Sequence, residues 1–252
     1  MLKYMNAEFY KVTHRVYPAG FLGVIVGGIA LIMVLLRQNA GPGASFDFMA
    51  GALCMVLSVG LYLVVITCDM VFSDQYKYNT LKNEVAYGLP RARIYLGKLI
   101  AAAIVSVVLC AVILAFYLLL ARLLFPLGAA TGETMTALGQ ALLVAFPLWL
   151  GGMGLFHMLL FLMKGSTAAS IVYVLVVAVL GGGTLELFSK FVPRLRPVIE
   201  AIQTCLLTTP FDRLLSGGPS NGLIAYAWIV GMAWLLGSTA LGLIVFRKRE
   251  IS

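Results

Sequence analysis

Side chains that could perform acid–base, metal or nucleophilic chemistry are few in this sequence. The chain has two histidines, and neither lies near the residues that a zinc site or a catalytic triad needs as partners. His14 belongs to a polar stretch near the start, whereas His157 lies inside a long apolar block. An ionisable residue inside an apolar block is a functional candidate. The alternative is that His157 donates a hydrogen bond to a neighbouring helix.

The dipeptide Gly97-Lys98 resembles the end of a phosphate-binding loop but lacks the rest of that motif. Such a loop needs a glycine five positions before Gly97 and a Ser or Thr after the lysine. Ala92 and Leu99 stand at those positions. The sequence therefore offers no nucleotide cradle, and we expect no cofactor in this chain. Any work driven by ATP would have to come from a partner.

The composition excludes a water-soluble domain. Hydrophobic residues make up 62% and charged residues 11% of the chain, and the mean hydropathy is +1.00, whereas soluble domains carry about 25% charged residues. The net charge of +8 does not indicate nucleic-acid binding, because the basic residues lie in short segments beside apolar blocks. None of the four cysteines has metal-ligand spacing, so no metal site is expected. We expect a single domain, 1–252, within the lipid bilayer.

Six apolar blocks have about the 20 residues that are needed to span a bilayer. We therefore expect an all-α polytopic membrane protein with six transmembrane helices. Pro147 and Gly151-Gly152 predict that the fourth helix is kinked or broken. The six blocks are 19–36, 48–68, 99–121, 137–163, 168–185 and 223–246.

The basic residues indicate how these blocks are oriented. Twelve of the 18 Lys and Arg residues lie in segments that share one side of a six-span topology. The positive-inside bias places that side, with both termini, in the cytoplasm. No block carries a central carboxylate, and ion-coupled carriers use a buried charge to bind their ion. This absence counts against a secondary carrier.

Three segments outside the blocks have patterns of their own. Residues 1–18 read as an amphipathic helix, because Leu2, Met5, Phe9, Val12 and Val16 recur at spacings of three and four. The polar segment 73–98 contains a helix-like core, 80–87, closed by Gly88-Leu89-Pro90. In segment 186–221, an apolar stripe predicts one short helix, and Thr209-Pro210 predicts the start of another. The stripe comprises Val198, Ile199, Ile202, Cys205 and Leu206.

The segment 73–98 also resembles a known sequence family. It is similar to the permease subunits of type-2 ABC transporters, and in particular to the short six-helix permeases of Gram-positive bacteria. The segment departs from the family pattern at Gln75, Asn79 and Pro90. The start, Asn6 to Lys11, and the end, Phe246 to Ile251, also resemble this family. The matching positions are Tyr76-Lys77-Tyr78, Thr80-Leu81-Lys82-Asn83, Gly88, Arg91 and Ile94-Tyr95-Leu96-Gly97-Lys98.

The resemblance implies that this chain forms the membrane-spanning part of a transporter and that a separate ATPase hydrolyses ATP. Segment 1–18 would be an elbow helix, and the helix within 73–98 would be a cytoplasmic coupling helix that docks on the ATPase. Leu81, Val85 and Tyr87 would pack into the ATPase, with charged side chains at the rim. Segment 186–221 would form external helices that are re-entrant or lie at the membrane interface, the alternative being an irregular surface loop. The implied coupling residues are Tyr78, Thr80, Leu81, Lys82, Asn83, Glu84, Gly88, Pro90 and Arg91.

The resemblance further implies an exporter in the bacterial cell membrane. Two permeases, identical or homologous, would pair above two ATPase subunits that bind ATP and magnesium. An amphiphilic substrate is expected, for example an antimicrobial peptide or an antibiotic, and His157 and Pro147 are candidates for its path. The alternatives are an ion-coupled carrier, or a membrane-embedded enzyme or assembly factor that uses His157 and the outer segment. Composition alone would also allow 73–98 to be a solvated basic loop that only sets the topology.

Overall fold

The structure, a computed structural model, describes residues 2–39, 41, 44–72, 80–163, 165–181 and 184–248. Throughout these ranges the regular structure is helical, and they contain no strand. Short 3-10 turns occur at Leu57–Val59 and Pro193–Leu195. The α-helices are α1 (Leu2–Thr13), α2 (Val16–Asn39), α3 (Phe46–Val56), α4 (Gly60–Phe72), α5 (Thr80–Ala86), α6 (Arg91–Leu124), α7 (Thr131–Leu162), α8 (Ser166–Gly181), α9 (Thr184–Phe191), α10 (Arg196–Thr204), α11 (Thr209–Gly217) and α12 (Asn221–Lys248).

Five helical segments of the described chain are long and apolar enough to cross a membrane. They are α2, the pair α3–α4 joined by the first 3-10 turn, α6, α7 and α12. The predicted block 168–185 corresponds to α8, which has 16 residues and rises about 24 Å. The hydrocarbon core of a bilayer is about 30 Å thick. By length alone, α8 therefore falls short of the sixth span that the sequence predicts.

The first helix is shorter than the predicted segment 1–18. It ends at Thr13, and α2 begins at Val16 rather than at residue 19. The chain turns between them, where the backbone N–H of Arg15 donates to the carbonyl of Val12 (3.3 Å). Because of this turn, Val16 is 87% exposed and does not continue the apolar stripe of α1.

The third long helix begins earlier than the apolar block at 99–121. Pro90 precedes it in an extended conformation (φ −60°, ψ 131°), and α6 then runs for 34 residues from Arg91. Proline has no N–H to donate into a helix, so it is tolerated at such a boundary. Residues 91–98, predicted as part of a polar connection, are therefore the first two turns of a long helix.

Helix α7 lies at the centre of the packing and is not broken. It runs without interruption through Pro147, so the break predicted there is absent. Its glycines instead allow close contact with α12. A Cβ on Gly151 would lie 2.7 Å from the carbonyl oxygen of Gly231, and a Cβ on Gly231 would collide with the carbonyl group of Pro147. Small residues at such crossings let helix backbones approach within a bilayer.

Helices α10 and α11 are the two short helices that the sequence predicts after α9. Helix α11 begins at Thr209, so the cap position is Thr208, one residue earlier than predicted, and Pro210 lies in the first turn. The indole N–H of Trp234 donates to the carbonyl of Cys205 (2.7 Å). Trp234 follows the first residue of α12, Asn221, by 13 positions, or about 20 Å along the helix. The junction of α10 and α11 thus lies beside the middle of α12.

The crossing of α7 and α12 gives the first testable prediction. Gly231→Ala should destabilise the protein by about 1–3 kcal/mol, because the new methyl group overpacks the contact with Pro147. Thermal unfolding of the purified protein in detergent measures the effect. Gly237→Ala is the matched control on the same helix, since a Cβ there meets nothing within 4 Å. Equal melting temperatures for the two variants would contradict the predicted close contact.

Candidate functional site

Helix α5 is a short element with a well-defined end. The N–H of Gly88 donates to the carbonyl of Val85 (3.0 Å), and the N–H of Leu89 donates to the carbonyl of Glu84 (3.3 Å). With Gly88 at φ 81°, these bonds form a Schellman motif, which ends a helix and satisfies its last carbonyls. The sequence Gly88-Leu89-Pro90 predicted this stop. A helix of seven residues is not stable alone in water, so α5 depends on its tertiary contacts.

The two faces of α5 have different surroundings. Leu81 is 3% exposed and belongs to the main apolar core, and Val85 packs against the same core. Both were expected to pack into a partner, but in the structure they hold α5 against its own chain. The opposite face presents Tyr87, which is 88% exposed, together with Lys82. Among the described residues of this region, the exposed side chains lie on this outer face.

Four charged side chains join α5 to α1 and α6, and we refer to Glu8, Lys11, Glu84 and Lys98 as the four-charge cluster. The ammonium group of Lys98 lies 3.1 Å from Oε1 of Glu8 and 3.4 Å from Oε1 of Glu84. Lys11 contacts the same two oxygen atoms at 2.9 and 3.5 Å. Two carboxylates and two ammonium groups thus balance one another where three helices meet.

The cluster is buried at its centre and more open at its rim. The side chains of Glu8 and Lys98 are fully buried, whereas that of Lys11 is 43% exposed. The Tyr4 hydroxyl donates to Oε2 of Glu84 (3.0 Å). Burial, with the charges of Glu8 and Glu84 nearby, raises the pKa of Tyr4 far above its usual range, so the phenol keeps its proton. Removing one partner from a buried ion pair costs about 3–5 kcal/mol because the other charge stays buried.

The ionisation of Glu8 depends on its lysine partners. Burial acts to raise the pKa of this carboxyl, but the charges and hydrogen bonds of Lys98 and Lys11 outweigh it and hold the pKa below its usual value. For Lys11, burial acts to lower the pKa, and the contacts with Glu8 and Glu84 raise it overall. Glu8 is thus ionised and Lys11 protonated at neutral pH.

Arg91 connects the start of α6 to the end of α12. Its Nη1 donates to the carbonyls of Phe246 (2.9 Å) and Arg247 (2.8 Å). The last carbonyls of a helix have no partner within the helix and carry partial negative charge. A guanidinium donates hydrogen bonds to them and offsets that charge. Arg91 was expected at the rim of a docking surface. The structure shows that it also binds the last helix of its own chain.

His157 and Pro147 lie inside the helix bundle. The His157 side chain is 1% exposed, and its Nε2 lies 3.1 Å from the carbonyl oxygen of Tyr95 on α6. The aromatic rings of Tyr95 and Phe161 pack around it, with centroids 4.7 and 5.1 Å away. This contact fits the alternative in which His157 donates a hydrogen bond to a neighbouring helix. No group of His, Cys, Asp or Glu residues that could hold a metal ion occurs in the described ranges.

The implied coupling residues divide into three groups. Leu81, Glu84 and Arg91 bind other parts of the chain, and Thr80 is half-buried. Tyr78 lies outside the described residues. The exposed members are Lys82, Asn83, Gly88 and Pro90.

The side chains of Glu8, Lys11 and Lys98, which the sequence did not single out as site residues, prove central to the geometry. The available signals were the i, i+3 spacing of Glu8 and Lys11 and the place of Lys98 in the family motif.

The four-charge cluster predicts a large effect for a neutral substitution. Lys98→Met should destabilise the protein by about 3–5 kcal/mol, because two carboxylates lose their buried partner. Chemical denaturation monitored by tryptophan fluorescence measures this. Lys82→Met is the control, since the lysine is exposed on α5 and its loss should change stability by no more than about 0.5 kcal/mol. If the two variants were equally stable, the cluster would contribute nothing.

The cluster also predicts a pH dependence. Because the pKa of Glu8 is lowered in the folded protein, its contribution is complete above the unfolded pKa of about 4.3 and is lost as the pH falls further. At the alkaline end, the raised pKa of Lys11 keeps its contribution until the pH rises through that raised value. Glu8→Gln should thus be less stable than wild type at pH 7, and the gap should narrow below pH about 4.3.

Melting temperatures of wild type and Glu8→Gln between pH 3.5 and 7 test this dependence. Glu200→Gln serves as the control, because the Glu200 side chain is 56% exposed in its ion pair with Arg196 and exposed pairs contribute at most about 1 kcal/mol. A gap between wild type and Glu8→Gln that stayed constant over this range would show that Glu8 is not held ionised by its partners.

Comparison with known proteins identifies the sequence family. A family model described as "ABC-2 family transporter protein" matches residues 4–181, which include the four-charge cluster. The match confirms the family that the sequence motifs predict. A comparison with curated proteins gives no match.

Proposed function

The chain belongs to the ABC-2 family of transporter proteins, and from this premise we propose that it is the permease subunit of an ATP-driven exporter. Membership makes it a multi-pass membrane transport subunit that works with an ABC ATPase. The family match over residues 4–181 carries the proposal. Export, the number of subunits and the substrate are parts of the proposal.

In the proposed topology the chain crosses the membrane six times, with α8 as the fifth span and both termini in the cytoplasm. A 16-residue helix can serve as a span where the residues on either side extend it or where the bilayer thins locally. The distribution of basic residues supports this orientation. Helix α1 then lies at the cytoplasmic interface as the elbow helix, and α5 projects from the membrane as the coupling helix.

The proposed docking surface for the ATPase is the outer face of α5. Tyr87, which directly follows α5, is 88% exposed, and tyrosine is a frequent anchor in protein interfaces. Lys82 and Asn83 are exposed beside it. The inner face is fixed by Leu81 and by the four-charge cluster. A force applied to Tyr87 would therefore reach α1 and α6 through contacts that are already formed.

The proposed partner within the membrane is a second permease, and α2 supports this. Only Met33 is buried in that helix. A Cβ on Gly20, Gly23, Gly27 or Gly28 would meet nothing within 4 Å. Helix faces with small residues at four-residue spacing favour close helix pairing in lipid. We propose that this face contacts a second copy or a homologous permease, with the transport path between the two.

The proposed substrate is an amphiphile, for example an antimicrobial peptide or an antibiotic. The helices that would line a path between two permeases are mainly apolar, so a purely polar solute would lack partners there. The alternative of an enzyme that uses His157 gains no support, because this side chain is buried and its Nε2 lies against the Tyr95 carbonyl. The alternative of an ion-coupled carrier differs from the proposed exporter in its energy source. Transport by such a carrier would be driven by an ion gradient and not by ATP.

Co-isolation from native membranes tests the docking surface. Wild type should bring an ABC ATPase with it, and Tyr87→Ala combined with Lys82→Glu should reduce the recovered ATPase at least about tenfold, the effect of losing about 1.4 kcal/mol. Tyr17→Ala is the matched control, since Tyr17 is 51% exposed on α2 and lies outside α5. Recovery with this control should change less than about twofold.

Two outcomes would contradict the proposal. Wild type that brings no ATPase would overturn ATP-driven transport by this chain. If wild type and the double variant bring equal amounts, the ATPase binds elsewhere and α5 is not the docking helix. The double variant leaves the four-charge cluster intact, so a loss of ATPase cannot be attributed to a disrupted cluster. Its melting temperature should match that of wild type.

A further inference from the structure

A cavity of about 430 Å³ lies where the end of α10 and the following turn meet α7, α8 and α12. Its inner wall includes Leu155, Val177 and Leu207, which are 5–7% exposed. Val198 and Ile202, at its mouth, are 55% and 45% exposed. The cavity therefore leads from the apolar core to an apolar part of the surface.

The depth of the cavity places it beside the hydrocarbon of the bilayer. Trp234 lines it and lies 13 residues after the first residue of α12, Asn221, or about 20 Å along a membrane-spanning helix. At this depth the surrounding medium is lipid hydrocarbon. The mouth formed by Val198 and Ile202 would thus open towards acyl chains and not towards water.

The wall of the cavity selects for an apolar occupant. Its lining residues carry no charged side chain. The Trp234 indole N–H is already used by the Cys205 carbonyl. The Thr208 hydroxyl is the exception, since its buried oxygen has no hydrogen-bond partner among the described residues. A water molecule needs two to four polar partners in a buried site, which this wall does not offer.

The cavity is open at its mouth, so a molecule can enter it from the surface. Its volume lies within the range of about 300–1,000 Å³ that small-molecule sites have. Apolar side chains lining such a space lose contacts unless something apolar fills it.

We propose that this cavity binds one acyl chain of a membrane phospholipid, which enters from the bilayer past Val198 and Ile202. The acyl chain supplies apolar contacts to α10 on the side that faces α8. The phospholipid headgroup stays outside the cavity. In this position the lipid is part of the packing between the α10–α11 segment and the long helices. The proposal does not depend on the exported substrate or on the ATPase.

Photo-crosslinking tests this site in the full chain. The protein is reconstituted in nanodiscs of phosphatidylglycerol that contain a trace of the same lipid with a diazirine in its acyl chain, and crosslinked residues are mapped by mass spectrometry. The residues that line the cavity should be labelled at least about fivefold more than exposed apolar residues of α6 such as Val108, which is 55% exposed. Equal labelling of the two regions would overturn the proposal. This test uses the wild-type protein and needs no substitution.

A substitution that fills the mouth sharpens the test. Ala201 lines the cavity, and Ala201→Trp should lower the labelling of the cavity wall at least about fivefold. Ala225→Trp is the matched control, because Ala225 is exposed on α12 and does not line the cavity, and it should change the labelling less than twofold. Undiminished labelling in a folded Ala201→Trp protein would show that the lipid lies on the outer surface and not in the cavity.

Discussion

One contact holds together the end of the protein that faces the cytoplasm in the proposed topology. It is the contact of Lys98 with the carboxylates of Glu8 and Glu84. These groups come from three helices, and none of them could be buried without the others. Helix α5 has seven residues and would not hold its shape alone. The four-charge cluster, with the core contacts of Leu81, turns this short helix into a fixed part of the permease.

This arrangement explains how a small surface could move a large bundle. In the proposed complex the ATPase binds the outer face of α5, whose inner face is joined to α1 and to the first turns of α6. From α6, Arg91 continues to the carbonyls that end α12, and α12 packs closely on the central helix α7 through Gly151 and Gly231. A displacement of α5 thus meets a continuous series of packed contacts, and such series can carry coupling over a distance.

Local patterns in the sequence predicted much of this structure, and long-range pairing was the part that they did not predict. The closure of α5 by Gly88 follows from turn chemistry, and helices α10 and α11 follow from the apolar stripe and Pro210. The pairing of Glu8 with Lys98 joins residues 90 positions apart, and no periodicity indicates such a contact. The sequence also indicated that the apolar side chain of Leu81 is buried. It did not show whether Leu81 packs against a partner or against the core of its own chain. At Pro147 the sequence predicts a kink or a break, and α7 continues through it without a break.

Distance measurements between α1 and α5 test the central claim most directly. Spin labels are attached at Ala7→Cys and Ala86→Cys, both exposed positions, after the four native cysteines are replaced, and the protein is reconstituted in nanodiscs. Pulsed electron paramagnetic resonance should give a single narrow distance distribution, which should broaden markedly when Lys98→Met is added. A broad distribution in the parent protein, or one that Lys98→Met leaves narrow and unchanged, would contradict the claim that the four-charge cluster fixes α5 to the permease.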